Sequence, residues 1–477
     1  MQNSTTYQLS KYLKVIPRPD GFALYHSLFG GLCLVDSPIM ELLKAFEGPK
    51  SPQQVLAEYP QYTPEYLDSF LKVFIPRQFL TNPPFDEYGV IEQRMEERKK
   101  RLETGQLVGV IQLVATNHCN FNCRYCFTNS IYSSKERLEL QKSPSNKLMS
   151  PETAQKAIEQ VIQILLANGR RSLHIQFFGG EPLLNWDLIR FVLERFGHGG
   201  SYGIQISYSI VTNGSLITAE IAKLFREYSV PVIVSFDSPR GEDRVMANGK
   251  KSFPEIRRGL ALLQNHQNRV VFNSVLSGET FDYFGNDLVD FAVDNGVMEI
   301  GVLLDLNPGF YEEKTTEAIV EKLWGVYQYA KEKKVVITGY WHMIFQQMVA
   351  FDSLNGRGFK TCSATGCQLS IEPSGAVFAC KGSSGYFGSI FKPEELFSSE
   401  KYRQYAMRAY RNAPECAGCE IENFCSGFCL GSLEKKYQRI DVIEPRTCEV
   451  YKGITRKIIL DLKTNEVPSF FTPRTIA

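Results

Sequence analysis

No apolar run of about 18 residues or more occurs in the 477-residue chain, so no membrane-crossing helix is expected. Charge of one sign is not in excess either. The 53 basic residues stand against 52 acidic ones, a balance that points to neither nucleic acid nor an acidic membrane surface as partner. The opening residues MQNSTTYQLSKYLKV lack the apolar stretch of a signal peptide, and a cytoplasmic location is expected. Low-complexity tracts are missing, as is any repeat beyond an alternation of strand and helix patterns. The most informative gap concerns cysteine: more than two hundred residues between Cys126 and Cys362 contain none.

What is present is crowded around that gap. Of 12 cysteines, Cys33 stands alone, three lie at 119–126 and eight lie between 362 and 448. In a reducing compartment, clustered cysteines read as metal ligands or redox groups, not disulfides. A hydrophobic content of 43% suffices for two or three domains with their own cores.

Three regions follow from the patterns. Residues 1–95 read as a small α+β unit: strands at YLKVIPR and in GFALYHSLFGGLCLVD, the latter folding back at SLFGG, then a helix at PIMELLKAFEG opened by Ser37 and Pro38 and closed by Gly48. Two further helices, SPQQVLAEYP and TPEYLDSFLKVF, precede the charged stretch EQRMEERKKRLETG, read as a solvated helical linker. Residues 105–340 alternate six apolar strands, from LVGVIQLVAT to EIGVLLDL, with amphipathic helices such as the one beginning at Ser150 and Pro151. That alternation predicts an α/β parallel sheet, either an open barrel or doubly wound. After about 355 the alternation stops, and a region from 355 to 460 rich in glycine and cysteine is expected to depend on bound metal. Cys33, inside GGLCLVD, reads as a core residue.

The run TNHCNFNCRYCF places Cys119, Cys123 and Cys126 at C-x3-C-x2-C spacing directly after the first strand, at the end where βα barrels build active sites. Three thiolates are one fewer than a [4Fe–4S] cluster needs, which leaves one iron open. Tyr125 and Phe127 would shield such a cluster from water. The competing reading is a zinc site completed by His118. Zinc loops favour paired C-x2-C knuckles, and His118, adjacent to Cys119, is poorly placed to close the same shell.

This spacing resembles the signature of the radical S-adenosylmethionine (SAM) superfamily. The resemblance implies a partial (β/α)6 TIM-type barrel, an open iron that chelates SAM, and a 5′-deoxyadenosyl radical that abstracts substrate hydrogen. The second strand ends in Gly179–Gly180–Glu181–Pro182, where the family receives the SAM amino group. The third ends in Thr212–Asn213–Gly214 and the fourth in Ser235–Phe236–Asp237, resembling turns that hold the ribose and carboxylate, with Arg244 where the family often carries an arginine. Ser238 departs from the glycine common in relatives. The implied SAM contacts are thus Tyr125, Gly179, Gly180, Glu181, Asn213, Ser235 and Arg244.

The C-terminal pattern, C362-x4-C367, Gly375, Cys380, C416-x2-C419-x5-C425-x3-C429 and Cys448, resembles the SPASM extension of these enzymes. By that resemblance Cys362, Cys367, Cys380 and Cys429 hold one auxiliary cluster, with Cys367 the variable ligand. Cys416, Cys419, Cys425 and Cys448 hold another, making three [4Fe–4S] clusters in all. Two four-cysteine zinc sites are the competing reading. Residues 1–95, three strands followed by three helices, look like a winged-helix RiPP recognition element, able to add a leader peptide to its sheet edge; a structural cap is the alternative.

The implied activity is maturation of a ribosomally synthesised precursor peptide, drawing electrons from a flavodoxin or ferredoxin. A thioether crosslink is expected, with a carbon–carbon crosslink or backbone rearrangement as alternatives. Formylglycine-forming maturases of the family carry an aspartate after the cysteine equivalent to Cys380, where this chain has Lys381. A cluster-bearing electron-transfer or leader-binding scaffold without SAM chemistry is the non-enzymatic alternative. No general base can be named from the pattern.

Overall fold

A computed structural model of the chain describes residues 5–126, 148–240, 244–349, 362–408 and 413–470. Phe127 and the expected boundary at 355 lie outside the described residues.

The N-terminal strands are β1 (Gln8–Leu9), β2 (Leu13–Arg18), β3 (Gly21–His26) and β4 (Gly30–Val35), with β2, β3 and β4 forming an antiparallel meander. Helices α1 (Ser37–Lys44), α2 (Pro52–Glu58) and α3 (Pro64–Phe74) follow, and β5 (Leu80–Thr81) returns to pair with β1. Each helix opens with a polar cap and a proline in its first turn, where the missing N–H is no loss. The first is capped by Asp36, not opened by Ser37, because the Asp36 carboxylate accepts from Ile39 N at 3.1 Å; it ends at Lys44, short of Gly48.

Alternation along β3 and β4 divides their side chains between two cores. Leu24, Cys33 and Val35 pack with Leu42 of α1, Phe46 just beyond it, Val55 of α2, and Phe70 and Phe74 of α3. Ala23, Tyr25, Leu32 and Leu34 point the other way and join the main core of the chain. A sheet covered on both faces reads as a continuous apolar run, as GGLCLV does. Helix α4 (Glu87–Leu102) occupies the charged stretch expected to be a solvated linker. It is half buried instead: Ile91, Met95, Arg98 and Leu102, spaced for one helix face, are all covered.

Seven parallel strands come next: β6 (Val110–Thr116), β7 (Ser172–Gly179), β8 (Gln205–Thr212), β9 (Val232–Ser235), β10 (Val270–Leu276), β11 (Glu299–Leu304) and β12 (Val336–Thr338). They neighbour one another in chain order. That order separates the two architectures left open by pattern, since a doubly wound sheet reverses at a switch point and this one never does. The result is an open, partial barrel.

Beyond it, β13 (Gln368–Ile371) pairs in parallel with β6, and β14 (Ala376–Phe378) and β15 (Tyr386–Ser389) continue antiparallel, making one ten-stranded sheet. The region expected to lack a core of its own thus shares the barrel's. Leu369, Ile371, Val377 and Phe378 are fully buried, and a 17-residue helix, Pro445–Asp461, contributes Val450, Ile454, Ile458 and Ile459. The short β16 (Ser469–Phe470) returns to pair in parallel with β4. Among the described residues no helix is long and apolar enough to cross a membrane.

Candidate active site

The cysteine loop begins where β6 ends. Gly180 N donates to Thr116 O and Glu181 N to His118 O, both at 2.8 Å, so the end of β7 is knitted to the loop. This approach explains the glycine pair. A Cβ on Gly180 would lie 2.1 Å from His118 O, and one on Gly179, whose φ is +151°, would lie 2.3 Å from Thr116 O. On its other side the loop pairs with 245–247, Asn122 N donating to Val245 O and Ala247 N to Asn120 O. Asn120 also accepts from Asn213 Nδ2 at 2.8 Å and donates to Ser215 Oγ at 2.9 Å, which ties it to the turn after β8. Cys119 is exposed and Cys123 and Cys126 half-buried, and none of the three is in a disulfide. Burial raises the thiol of Cys123. Metal binding there would have to displace protons.

Glu181 is fully buried. Its carboxylate accepts from Thr212 Oγ1 at 2.7 Å, Leu183 N at 3.1 Å and Asn213 N at 2.7 Å, so it braces the turn after β8. Burial pushes its pKa up to about 7, against the pull of those three donors. Tyr125 donates its hydroxyl to Asp237, and the Arg244 guanidinium lies over the Tyr125 ring while its Nε donates to Asp237 at 2.8 Å. Asp237 also accepts from Val275 N at 2.8 Å. Loop, β9 and β10 meet at this carboxylate. Ser235, half-buried at the end of β9, pairs with Asn273. Asn120 and the bracing role of Asp237 escaped the sequence reading; the one available signal was a short polar residue inside the cysteine run.

In the C-terminal region the thiols fall into two neighbourhoods. Burial pushes Cys362 up to about 12, with Cys429 and Cys367 adding to it, and burial followed by the charges of Cys362, Cys380 and Cys429 raises the phenol of Tyr340. Burial likewise raises Cys448, whose neighbours are Cys425, Cys416 and Cys419. Among the described residues no three His, Cys, Asp or Glu side chains converge as they would around a single metal ion. Cys33 is fully buried in β4. Lys381 is buried too, beside Glu372.

Comparison with known proteins decides the family. Residues 113–290 match the Radical SAM superfamily. Over 460 residues the chain is 44% identical to the radical SAM cyclopropyl synthase TigE of Paramaledivibacter caminithermalis, covering 96% of this chain and 97% of that protein. The chain belongs to the radical SAM superfamily. Solved structures agree in fold. Native anSMEcpe with bound AdoMet superposes with a TM-score of 0.59 at 20% identity, over 74% of this chain and all of that one. Streptococcus suis SuiB bound to the precursor peptide SuiA gives 0.51 at 13% identity, over 93% and 99%.

As a radical SAM enzyme the protein works with SAM and a [4Fe–4S] cluster, and the scaffold alternative falls. The donor chemistry fits: the three thiols after β6 are soft ligands on a loop held by backbone bonds from β7 and by the 245–247 segment.

Proposed function

We propose that this radical SAM enzyme matures a ribosomally synthesised precursor peptide, closing a carbon–carbon bond within one side chain to form a cyclopropane ring. The observation that carries the proposal is the 44% identity, over nearly the whole of both chains, to a cyclopropyl synthase. Peptide as the substrate class is supported by the fold shared with SuiB, which has been captured with its precursor peptide.

In this reading Cys119, Cys123 and Cys126 hold the SAM-binding cluster. Cys362, Cys367, Cys380 and Cys429 hold auxiliary cluster I, and Cys416, Cys419, Cys425 and Cys448 hold auxiliary cluster II. When bound, SAM and its cluster would supply a 5′-deoxyadenosyl radical that takes one hydrogen from the substrate, and an auxiliary cluster would accept the remaining electron as the second hydrogen leaves as a proton. The chain's own task is placement. Gly179 and Gly180 admit the loop, while Glu181 holds Asn213 in position. Tyr125 and Arg244, joined through Asp237, close the side of the site toward β9. The N-terminal unit takes the leader as an added strand. Its outer strand β2 has no strand partner on its far side among the described residues. A flavodoxin or ferredoxin supplies electrons. Lys381 lies buried against Glu372, which supports a reading away from formylglycine chemistry.

The test uses anaerobically reconstituted enzyme, SAM, a reductant and a candidate precursor peptide carrying both leader and core. Ring closure and thioether formation both remove two hydrogens per event, so mass alone does not separate them. Thiol alkylation does. An unchanged number of alkylatable cysteines beside the mass loss supports the ring, whereas loss of one thiol per event would establish the thioether instead.

A further inference from the structure

Two arginines from outside the cysteine loops reach the C-terminal thiols. Arg98, on α4, is 2% exposed. Its Nη2 donates to Thr365 O at 2.6 Å and lies 3.8 Å from Sγ of Cys367. Arg408 is 3% exposed, with Nε donating to Ile440 O at 3.0 Å and Nη2 to Ser426 O at 3.1 Å. The second of these bonds holds the guanidinium against the 425–427 segment that begins at Cys425, near enough to Cys416, Cys425, Asp441 and Cys362 for their charges to act on it. One cation therefore addresses Cys367, and the second lies beside the segment that carries Cys425, where the charges of both groups of thiols reach it.

A guanidinium is a planar cation whose N–H groups can donate to sulfur as well as to oxygen. Burying a charge is expensive unless something nearby compensates for it. Four-thiolate clusters would gather negative charge at these two places. The potential of an iron–sulfur cluster responds to net charge, to hydrogen bonds at its sulfurs and to solvent exposure. Arg98 and Arg408 act on the first two of these.

We propose that Arg98 and Arg408 set the reduction potentials of the auxiliary clusters, Arg98 through an N–H···S contact to Cys367 of cluster I and Arg408 as a cation shared by clusters I and II. The proposal rests on the assignment of eight cysteines to two clusters made above. Both are positioning residues, since neither is placed to touch substrate. Because Arg98 rides on α4, the segment joining the N-terminal unit to the barrel supplies part of the electrostatic environment of cluster I.

The experiment is a potentiometric titration followed by electron paramagnetic resonance, on full-length reconstituted protein carrying Cys119, Cys123 and Cys126→Ala so that only auxiliary clusters report. Arg98→Gln is expected to move one midpoint to more negative potential, and Arg408→Gln to move both. Arg98→Lys and Arg408→Lys, which keep the charge, should stay nearer the unsubstituted arginine protein. Full iron with unmoved midpoints in both Gln variants would overturn the proposal. Should a Gln variant lose iron, a Lys variant with full iron and an unmoved midpoint supports the role of charge. A Lys variant that also loses iron overturns it in favour of packing. Failure of the cluster assignment looks different: the wild-type chain would then hold about four irons instead of about twelve.

Discussion

The ammonium of Lys381 lies 3.4 Å from the carboxylate of Glu372, with both side chains buried. It also donates to Asn117 Oδ1 at 2.5 Å, and Asn117 Nδ2 donates to the other Glu372 oxygen at 3.1 Å. The backbone N–H of Lys381 reaches Gln112 Oε1 on β6 at 3.1 Å. These bonds join the loop that carries Cys119 to the segment that carries Cys380. A buried pair of this kind fixes spacing more than it adds net stability, because desolvation offsets most of the attraction.

Removing half of that pair is therefore expected to hurt more than removing both. Lys381→Met should lower the unfolding free energy by about 3–5 kcal/mol. Lys381→Met combined with Glu372→Leu should recover most of the loss. Chemical denaturation of anaerobic protein measures both, and a double variant as unstable as the single one would count against the ion pair.

Gly180→Ala tests the close approach of β7 to the cysteine loop. Its Cβ would sit 2.1 Å from His118 O, so the loop must shift. With the three clusters proposed above, the expected result is loss of about one third of the bound iron, and SAM cleavage reduced roughly tenfold or more, equivalent to about 1.4 kcal/mol of barrier. Normal iron and cleavage would show that the loop tolerates displacement.

Cys126→Ala isolates the SAM-binding cluster. SAM cleavage should disappear while iron falls from about twelve to about eight per chain, the auxiliary clusters remaining. Retained cleavage would mean that Cys126 is not a ligand. Zinc in place of iron would overturn the cluster reading altogether.

His26 makes the N-terminal unit sensitive to acid. It is fully buried; its Nδ1 accepts from Leu28 N and Phe29 N, and Nε2 meets Ser10 Oγ, which donates to Glu87. Burial, assisted by Lys14, lowers its pKa to about 3 from an ordinary 6.5. The folded protein thus binds fewer protons here than the unfolded chain. This contribution is fully present above about pH 6.5 and is lost as pH falls toward 3, by up to about 1.4 kcal/mol per pH unit. Stability of His26→Gln, followed by denaturation between those pH values, should show a shallower slope than wild type. Equal slopes would remove His26 as the source.

Much of the site was readable because its chemistry lies in local spacing. Cys119, Cys123 and Cys126 fall within eight residues, and the Gly-Gly-Glu turn ends the next strand. What escaped was contact between distant segments. The charged residues of α4 suggested a solvated linker, yet Arg98 is buried against Thr365 and Cys367, 267 and 269 positions away. No window of sequence contains both partners. The region after 355 read as poor in regular structure for the same reason: β13 pairs with β6, which lies far upstream.

The order of residues was enough to show the strand–helix alternation and the family, and to suggest the ligand types, since each depends on short-range spacing or on similarity along the chain. Tertiary structure alone decided that the parallel strands follow chain order as an open barrel, that Glu181 is turned inward onto Thr212 and Asn213, and that Lys381 faces Glu372. The physical reason is that burial and long-range charge pairing arise only when separate segments exclude water from one another, and no single segment carries that information.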